Sequence, residues 1–261
     1  LTGDVRLHRD VTSAFLARPR DVIVYLPPDY DASDARYPVL YMHDGQNLFD
    51  ASTSFLGIEW GVDETAEALI RAGEIEPLIV VGVYNTPDRV DEYTQAAQGD
   101  AGGQADAYGR FLVEELKPFI DVTYRTRPER EATGVAGSSL GGLVSMYFAL
   151  THAETFSRIG VVSPSVWWAD RDILDRVDAA PKTASRIWLD IGTAEGRSAA
   201  DASRAVADAR ALRDALIARG WTPGVDLHYL EDVGAEHNEV AWAGRMPAIL
   251  RYLFPVSSEA R

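Results

Sequence analysis

The chain has 261 residues, 46% hydrophobic and 10% aromatic, and no linker, repeat or composition break divides it, which reads as one domain over 1–261. A net charge of −15 argues against nucleic acid or an anionic membrane as partner, and against a strongly anionic substrate unless the pocket is locally basic. With no cysteine there is no disulfide and no thiolate zinc site, and the scattered acids show no ligand-like spacing, so no metal or cofactor is expected.

Val5–Thr12 and Asp21–Leu26 alternate like strands, the second stopped by Pro27 and Pro28. Tyr37–Met42 is apolar throughout, as a buried strand is, and runs into the polar loop His43–Asp50. Val62–Arg71 reads as a helix closed by Gly73, and Pro77–Val83 as another buried strand. Asn85–Gln104 has no clear period and reads as a long loop of the kind that often covers or binds. Helical spacing returns over Ala105–Ile120.

Thr133–Ala136 is a short strand, followed by Gly137-Ser138-Ser139-Leu140-Gly141. Behind that pentapeptide Leu140, Leu143, Val144, Tyr147 and Phe148 have the spacing of a buried helical face. A Gly-x-Ser-x-Gly run between a strand and a helix is the pattern of a nucleophile elbow, with Ser139 raised at the positive end of the helix. The plain alternative is a Gly-rich turn. Arg158–Val162 and Arg186–Ile191 are further strands, Ala199–Arg219 is a helix capped by Gly220, and Val225–Leu230 is the last strand. The loop Glu231–Asn238 then leads into a helix ending near Phe254, in which Pro247 should start a turn or leave a kink. Strands alternating with helices predict a mostly parallel sheet covered on both faces, with ligands beyond the strands' carboxyl ends; the helix-free opening predicts an antiparallel N-terminal edge.

A serine hydroxyl needs a base to remove its proton. Of five histidines, His237 lies in the loop after the last strand and is the preferred base, with His43 as the runner-up. The acid that orients the imidazole should lie between Ser139 and His237. Glu195, just beyond the strand Arg186–Ile191, is preferred, and Asp190 within that strand is its rival. The oxyanion of an acyl-transfer intermediate needs two N–H donors. Leu140 N–H is one candidate and Gln46 N–H, aimed by a tight turn at Gly45, the other, although the same loop suits a simple turn with a helix cap at Asn47.

The motifs HDGQNLFD at His43–Asp50, GSSLGG at Gly137–Gly142, SPSVWW at Ser163–Trp168 and GAEHNEVAW at Gly234–Trp242 span about 200 residues. Together they resemble the esterase D-like branch of the α/β-hydrolases, with its enterochelin esterases, feruloyl and acetyl-xylan esterases and antigen 85 mycolyltransferases. The resemblance implies an α/β-hydrolase fold and a serine esterase with a Ser139–His237–Glu195 triad. It also implies oxyanion donors at Gln46 and Leu140. SPSVWW is similar to the Ser-Gly-Ser-aromatic-Trp-Trp stretch of enterochelin esterases, yet the basic residues nearby are few, chiefly Arg89 and Arg197.

The expected substrate is a small-molecule or carbohydrate ester. Trp167 and Trp168 should form aromatic walls, one turned inward and one facing the cleft, with Arg89 and Tyr93 added by the long loop. A flat indole suits an acetyl or hydroxycinnamoyl sugar ester better than a long acyl chain. Rival readings are an acyltransferase of the mycolyltransferase type, a siderophore esterase and a non-catalytic binding protein. No apolar run approaches the ~18 residues of a helical membrane span. The chain opens on Leu1, compatible with a trimmed leader or native start, so cytoplasmic and secreted or periplasmic locations both stay open, as does oligomeric state.

Overall fold

The computed structural model describes residues 1–256. Its strands are β1 (Asp4–Val11), β2 (Arg20–Leu26), β3 (Val39–His43), β4 (Ile79–Val83), the two-residue pair β5 (Ala97–Gln98) and β6 (Ala101–Gly102), β7 (Thr133–Ser138), β8 (Arg158–Val162), β9 (Arg186–Gly192) and β10 (Leu227–Asp232). Its helices are α1 (Val62–Arg71), α2 (Arg89–Glu92), α3 (Ala105–Arg110), α4 (Lys117–Thr123), α5 (Leu140–Thr151), α6 (Asp172–Ala179), α7 (Ala199–Ala218) and α8 (Glu239–Leu253). Eight strands form one sheet in the order β1-β2-β4-β3-β7-β8-β9-β10. The first three are antiparallel neighbours, and every pairing from β4 to β10 is parallel. This is the α/β-hydrolase fold, antiparallel edge included.

The two cores follow from the two-residue period of the strands. Val39 and Tyr41 of β3 face one core, with Phe111, Leu112, Leu143, Val144, Phe148, Leu212 and Leu216 of the covering helices. Leu40 and Met42 face the other, with Val62, Ala66 and Leu69 of α1 and Met246, Ile249 and Leu250 of α8. Where the sequence suggests one amphipathic face behind the elbow, α5 is instead buried on all sides from Leu140 to Ala149. A central helix that packs on the sheet and beneath other helices has no solvent face to keep polar.

Three segments depart from the expectations above. The helix expected over Ala105–Ile120 is α3 and α4 joined by a wider π turn at Phe111–Leu116, and it continues to Thr123. The segment Asn85–Gln104 contains α2 and the β5–β6 pair rather than unbroken loop. It is held by a buried ion pair in which Arg20 Nη2 on β2 meets Glu92 Oε1 at 2.7 Å. Helix α6 follows three residues of positive φ, Ala169–Arg171, which hide its start from any periodicity argument. Pro247 sits inside α8.

His43 ends β3 beneath the elbow. Its Nδ1 lies 2.9 Å from Tyr108 Oη, and its Nε2 is buried with no hydrogen-bond partner among the described residues. Burial pushes its pKa down from 6.5 to about 3, against a weaker upward pull from Asp44. A histidine whose folded pKa is depressed stays neutral in the fold but takes a proton when unfolded, so stability falls as pH drops below 6.5 toward about 3. The expected loss from this group is about 1.4 kcal/mol per pH unit at most, or about 2 kcal/mol by pH 5. Urea denaturation at pH 7 and pH 5 should show that slope, and His43→Gln should flatten it.

Candidate active site

Three neighbouring parallel strands, β3, β7 and β8, deliver the site, and each ends in a non-glycine residue of positive φ. Asp44 has φ 56° and ψ 46°, Ser139 has φ 58° and ψ −119°, and Ser163 has φ 42°. Such backbone is strained for a residue with a Cβ and persists only where surroundings hold it. Ser139 is held by its N–H donating to Val162 O at 3.0 Å and its carbonyl accepting from Ser165 N–H at 3.0 Å. A Cβ on Gly137 would stand 2.9 Å from His43 Cδ2 and 3.0 Å from the Gly141 carbonyl carbon, so the turn closes only without one. The result lifts Ser139 Oγ into a cavity of about 430 Å³ lined also by Ser163, Pro164, Ser165, Trp167, Ile191, Glu195 and His237.

His237 and Glu195 come together as a pair: His237 Nδ1 lies 2.7 Å from Glu195 Oε2. The ring stands edge-on to Trp242, with centroids 4.9 Å apart. Glu195 is buried, and its Oε1 accepts the Gly192 N–H at 2.7 Å and the Ser163 hydroxyl. Burial alone would raise its pKa, but the hydrogen bonds from His237, Ser163 and Gly192 outweigh it and hold the carboxyl below its usual range. Ser139 Oγ is 3.2 Å from Ser165 Oγ, and no hydrogen bond joins it to His237 among the described residues. Either hydroxyl can donate in the Ser139–Ser165 contact.

The rival residues lie elsewhere. His43 is buried under the elbow, bonded to Tyr108 and outside the cavity lining. Asp190 is fully buried and faces Arg245, whose Nη1 is 2.5 Å from its Oδ1, while Trp188 Nε1 donates to its Oδ2 at 2.6 Å. Burial pushes this carboxyl up to about 6 against the pull of Arg245.

The loop after β3 turns at Asp44 and forms a short 3-10 turn, Gly45–Asn47. The Gln46 side chain is turned aside, its Oε1 accepting the Asn85 N–H at 3.2 Å. Gly45 does not carry the positive φ, which falls on Asp44. Glycine is required there because a Cβ would stand 2.4 Å from the Gly82 carbonyl carbon of β4. Arg89 grips Asp44 with two bonds of 2.7 Å, and Asn85 Nδ2 donates to it at 2.6 Å. The Tyr93 hydroxyl accepts the Asp44 N–H at 3.2 Å.

These contacts correct the expectation that Arg89 and Tyr93 line the substrate pocket. Tyr93 is fully buried and Arg89 is committed to Asp44, so both brace the loop from behind. Trp168 is likewise turned inward, its Nε1 donating to Ala96 O at 2.7 Å. Trp167 is 55% exposed and lines the cavity. Sequence reasoning missed Ser163, Ser165 and Arg245, and also the cavity wall from α7, formed by Asp201, Arg204, Ala205 and Asp208.

A strained serine elbow, a histidine–carboxylate pair and a parallel sheet define a hydrolase of the serine-esterase type. The chain belongs to the "Putative esterase" family, whose model matches residues 13–253. It is 27% identical over 169 residues to ferri-bacillibactin esterase BesA of Bacillus subtilis, covering 58% of this chain and 55% of that one. It is 28% identical over 180 residues to an endo-1,4-beta-xylanase/feruloyl esterase of Xylanibacter ruminicola, covering 66% of this chain but 22% of that longer protein. In fold it is similar to the BES protein from Bacillus cereus, with a TM-score of 0.78 at 22% identity over 98% of this chain and 97% of that one. The chain is accordingly a carboxylic ester hydrolase.

The tight seat of Gly45 is open to test. Gly45→Ala should displace the loop or β4 and lower the urea midpoint by the equivalent of about 2 kcal/mol, the usual scale of overpacking a core contact. Wild-type stability in that variant would show that the loop yields freely.

Proposed function

We propose that Ser139, His237 and Glu195 act as a catalytic triad that hydrolyses small neutral esters through an acyl-enzyme. The observation that carries this is the Glu195–His237 pair opening onto the same cavity as Ser139. His237 takes the Ser139 proton as Oγ attacks the ester carbonyl, and Glu195 stabilises the imidazolium that forms. The backbone N–H groups of Leu140, at the first position of α5, and Gln46 receive the oxyanion. The imidazolium then protonates the leaving alcohol, and water attacks the acyl-enzyme with His237 again as base.

The substrate side rests on the cavity's chemistry. Trp167 supplies an exposed indole, while the arginine that lines the wall, Arg204, is paired with Asp201. Asp208 is likewise paired, with Arg171 at 2.5 Å. Cations already matched by carboxylates favour neutral acetyl or hydroxycinnamoyl esters, on sugars among others, over a strongly anionic siderophore. The feruloyl esterase named among the relatives supports that choice, and BesA keeps the siderophore reading as an outcome of the substrate panel.

Ser139→Ala should lose labelling by a fluorophosphonate probe and nearly all ester turnover while folding normally. Labelling of Ser138 in its place would shift the elbow register by one, and retained turnover would overturn the reading. Product analysis with an added sugar acceptor would reveal acyl transfer if the acyl group leaves water for the acceptor.

Trp167→Ala should raise KM for aryl or sugar esters by about 10-fold, worth ~1.4 kcal/mol, and leave small acetate esters nearly unchanged. An unaltered ratio, or a preference for long-chain esters, would remove Trp167 from the substrate site.

A further inference from the structure

Behind the carboxylate that faces His237 lies a buried polar cluster whose other members take no direct part in the proposed reaction. Arg245, on α8, is 3% exposed, Asp190 0%, Ser163 1% and Glu195 4%, so all four are withdrawn from water. Ser163 is the junction. Its hydroxyl donates to Glu195 Oε1, and its oxygen accepts from Trp242 Nε1 at 3.1 Å and Arg245 Nη2 at 3.2 Å. The other side of the guanidinium meets Asp190 Oδ1 at 2.5 Å, and Asp190 Oδ1 also accepts the Ser163 N–H at 3.0 Å. Arg245 Nη2 stands 3.7 Å from Glu195 Oε1. Removing four polar groups from water in one place is costly unless each is matched, and here each is.

The charges are matched as a set, not in pairs. One guanidinium sits between two buried carboxylates, which leaves one net negative charge, and that charge lies next to His237. The half-exposed Asp232 approaches Arg245 Nε at 3.6 Å from β10. Glu239, at the start of α8, acts on His237 from another side, with the paired Asp44 and Arg89 beyond it. Forming the imidazolium neutralises the cluster; a buried Arg245 with only Glu195 for company would instead cancel Glu195 in advance.

We propose that Arg245 is a positioning residue for the triad acid: through Ser163 it locks Glu195 Oε1 so that Oε2 faces His237. Asp190, as its counter-ion, keeps the cluster negative for the imidazolium. This rests on the reading of Glu195 as the acid. It assigns a task to Asp190 that differs from that of a triad member, and one to a buried arginine eight positions after the base.

The test is the pH profile of kcat/KM for one ester in a set of variants. Asp190→Asn keeps the shape and, with its Oδ1 toward Arg245 and Ser163, those two contacts; it removes a negative charge, and its amide, a donor, cannot take the Trp188 N–H. Its acid limb should move to lower pH by about half a unit or more, because the imidazolium loses a stabilising charge. Asp190→Asn/Arg245→Gln restores the net negative charge, so the limb should return toward that of the unaltered chain. Its kcat should still lie about 10-fold or more below, at unchanged KM, because the Ser163 hydroxyl that holds Oε1 has lost the guanidinium that fixes it. Arg245→Lys should leave the limb in place and lower kcat alone. A purely structural role predicts lower stability without a limb that moves and returns. An unmoved limb in Asp190→Asn, or in Asp190→Asn/Trp188→Phe where the orphaned indole N–H is removed, overturns the proposal, as does a limb that stays shifted in Asp190→Asn/Arg245→Gln. Glu195→Gln separates the two readings. If it keeps most turnover, the triad itself is wrong; if it is inactive while the Asp190→Asn limb is unmoved, only the positioning role fails.

Discussion

The arrangement depends on positive-φ turns at the ends of three adjacent parallel strands. Parallel pairing places the carboxyl ends of β3, β7 and β8 side by side, and Asp44, Ser139 and Ser163 then each leave the sheet in a conformation that L-residues avoid. Strain of this kind costs on the order of 1–3 kcal/mol per residue and must be over-determined by its surroundings. Each has its own restraint. Asp44 is gripped by Arg89, Asn85 and Tyr93. Ser163 is held through its N–H by both the Asp190 carbonyl and carboxylate, at 3.1 and 3.0 Å. Ser139 is tied to the very strand that ends in Ser163, through Val162 O. The turns at Ser139 and Ser163 are therefore coupled, and a shift at β8 would be felt at the elbow.

That coupling explains why so much polar chemistry is buried behind the cavity instead of lining it. A carboxylate exposed to water could wander among rotamers, whereas Glu195, with Gly192 N–H and the Ser163 hydroxyl on one oxygen, has the other left for His237. The long segment after β4 plays the same part on the opposite side. Its buried Glu92–Arg20 pair anchors α2, and α2 in turn aims Arg89 at Asp44. What looks in the sequence like a loose flap with a cation for the substrate is a brace whose cation is already spent on the backbone turn beside Gln46.

The local chemistry of the elbow was legible because it is written in consecutive residues. A strand, Gly137, Ser139, Gly141 and an apolar helix admit few structures, and the order of Ser139, Glu195 and His237 along the chain follows from an alternating fold. The mostly parallel sheet and its antiparallel edge were legible from the same alternation, although the strand order was not. Side-chain direction after a strand was legible only by halves: alternation predicts that Trp167 and Trp168 diverge, but which one meets solvent depends on Ala96 O being in place for Trp168 Nε1. Tyr93 and Arg89 were misplaced because a segment without periodicity conceals α2, and a four-residue helix leaves no hydrophobic repeat to find. The start of α6 was hidden by three consecutive positive-φ residues that no turn signal announces.

Arg245 was overlooked for a different reason, and a signal for it was present. Trp242, Arg245, Met246, Ile249, Leu250 and Leu253 fall at i, i+3, i+4, i+7, i+8 and i+11, so Arg245 stands within the apolar stripe of its own helix. A guanidinium cannot be buried there without a carboxylate opposite it. The parallel strand β9, against which this stripe packs, carries one acid in mid-strand, Asp190, and an acid in that position is as anomalous as the arginine. Two anomalies on facing elements explain each other. Read that way, Asp190 is withdrawn from competition for His237 by Arg245, which leaves Glu195 as the carboxylate free to meet the imidazole.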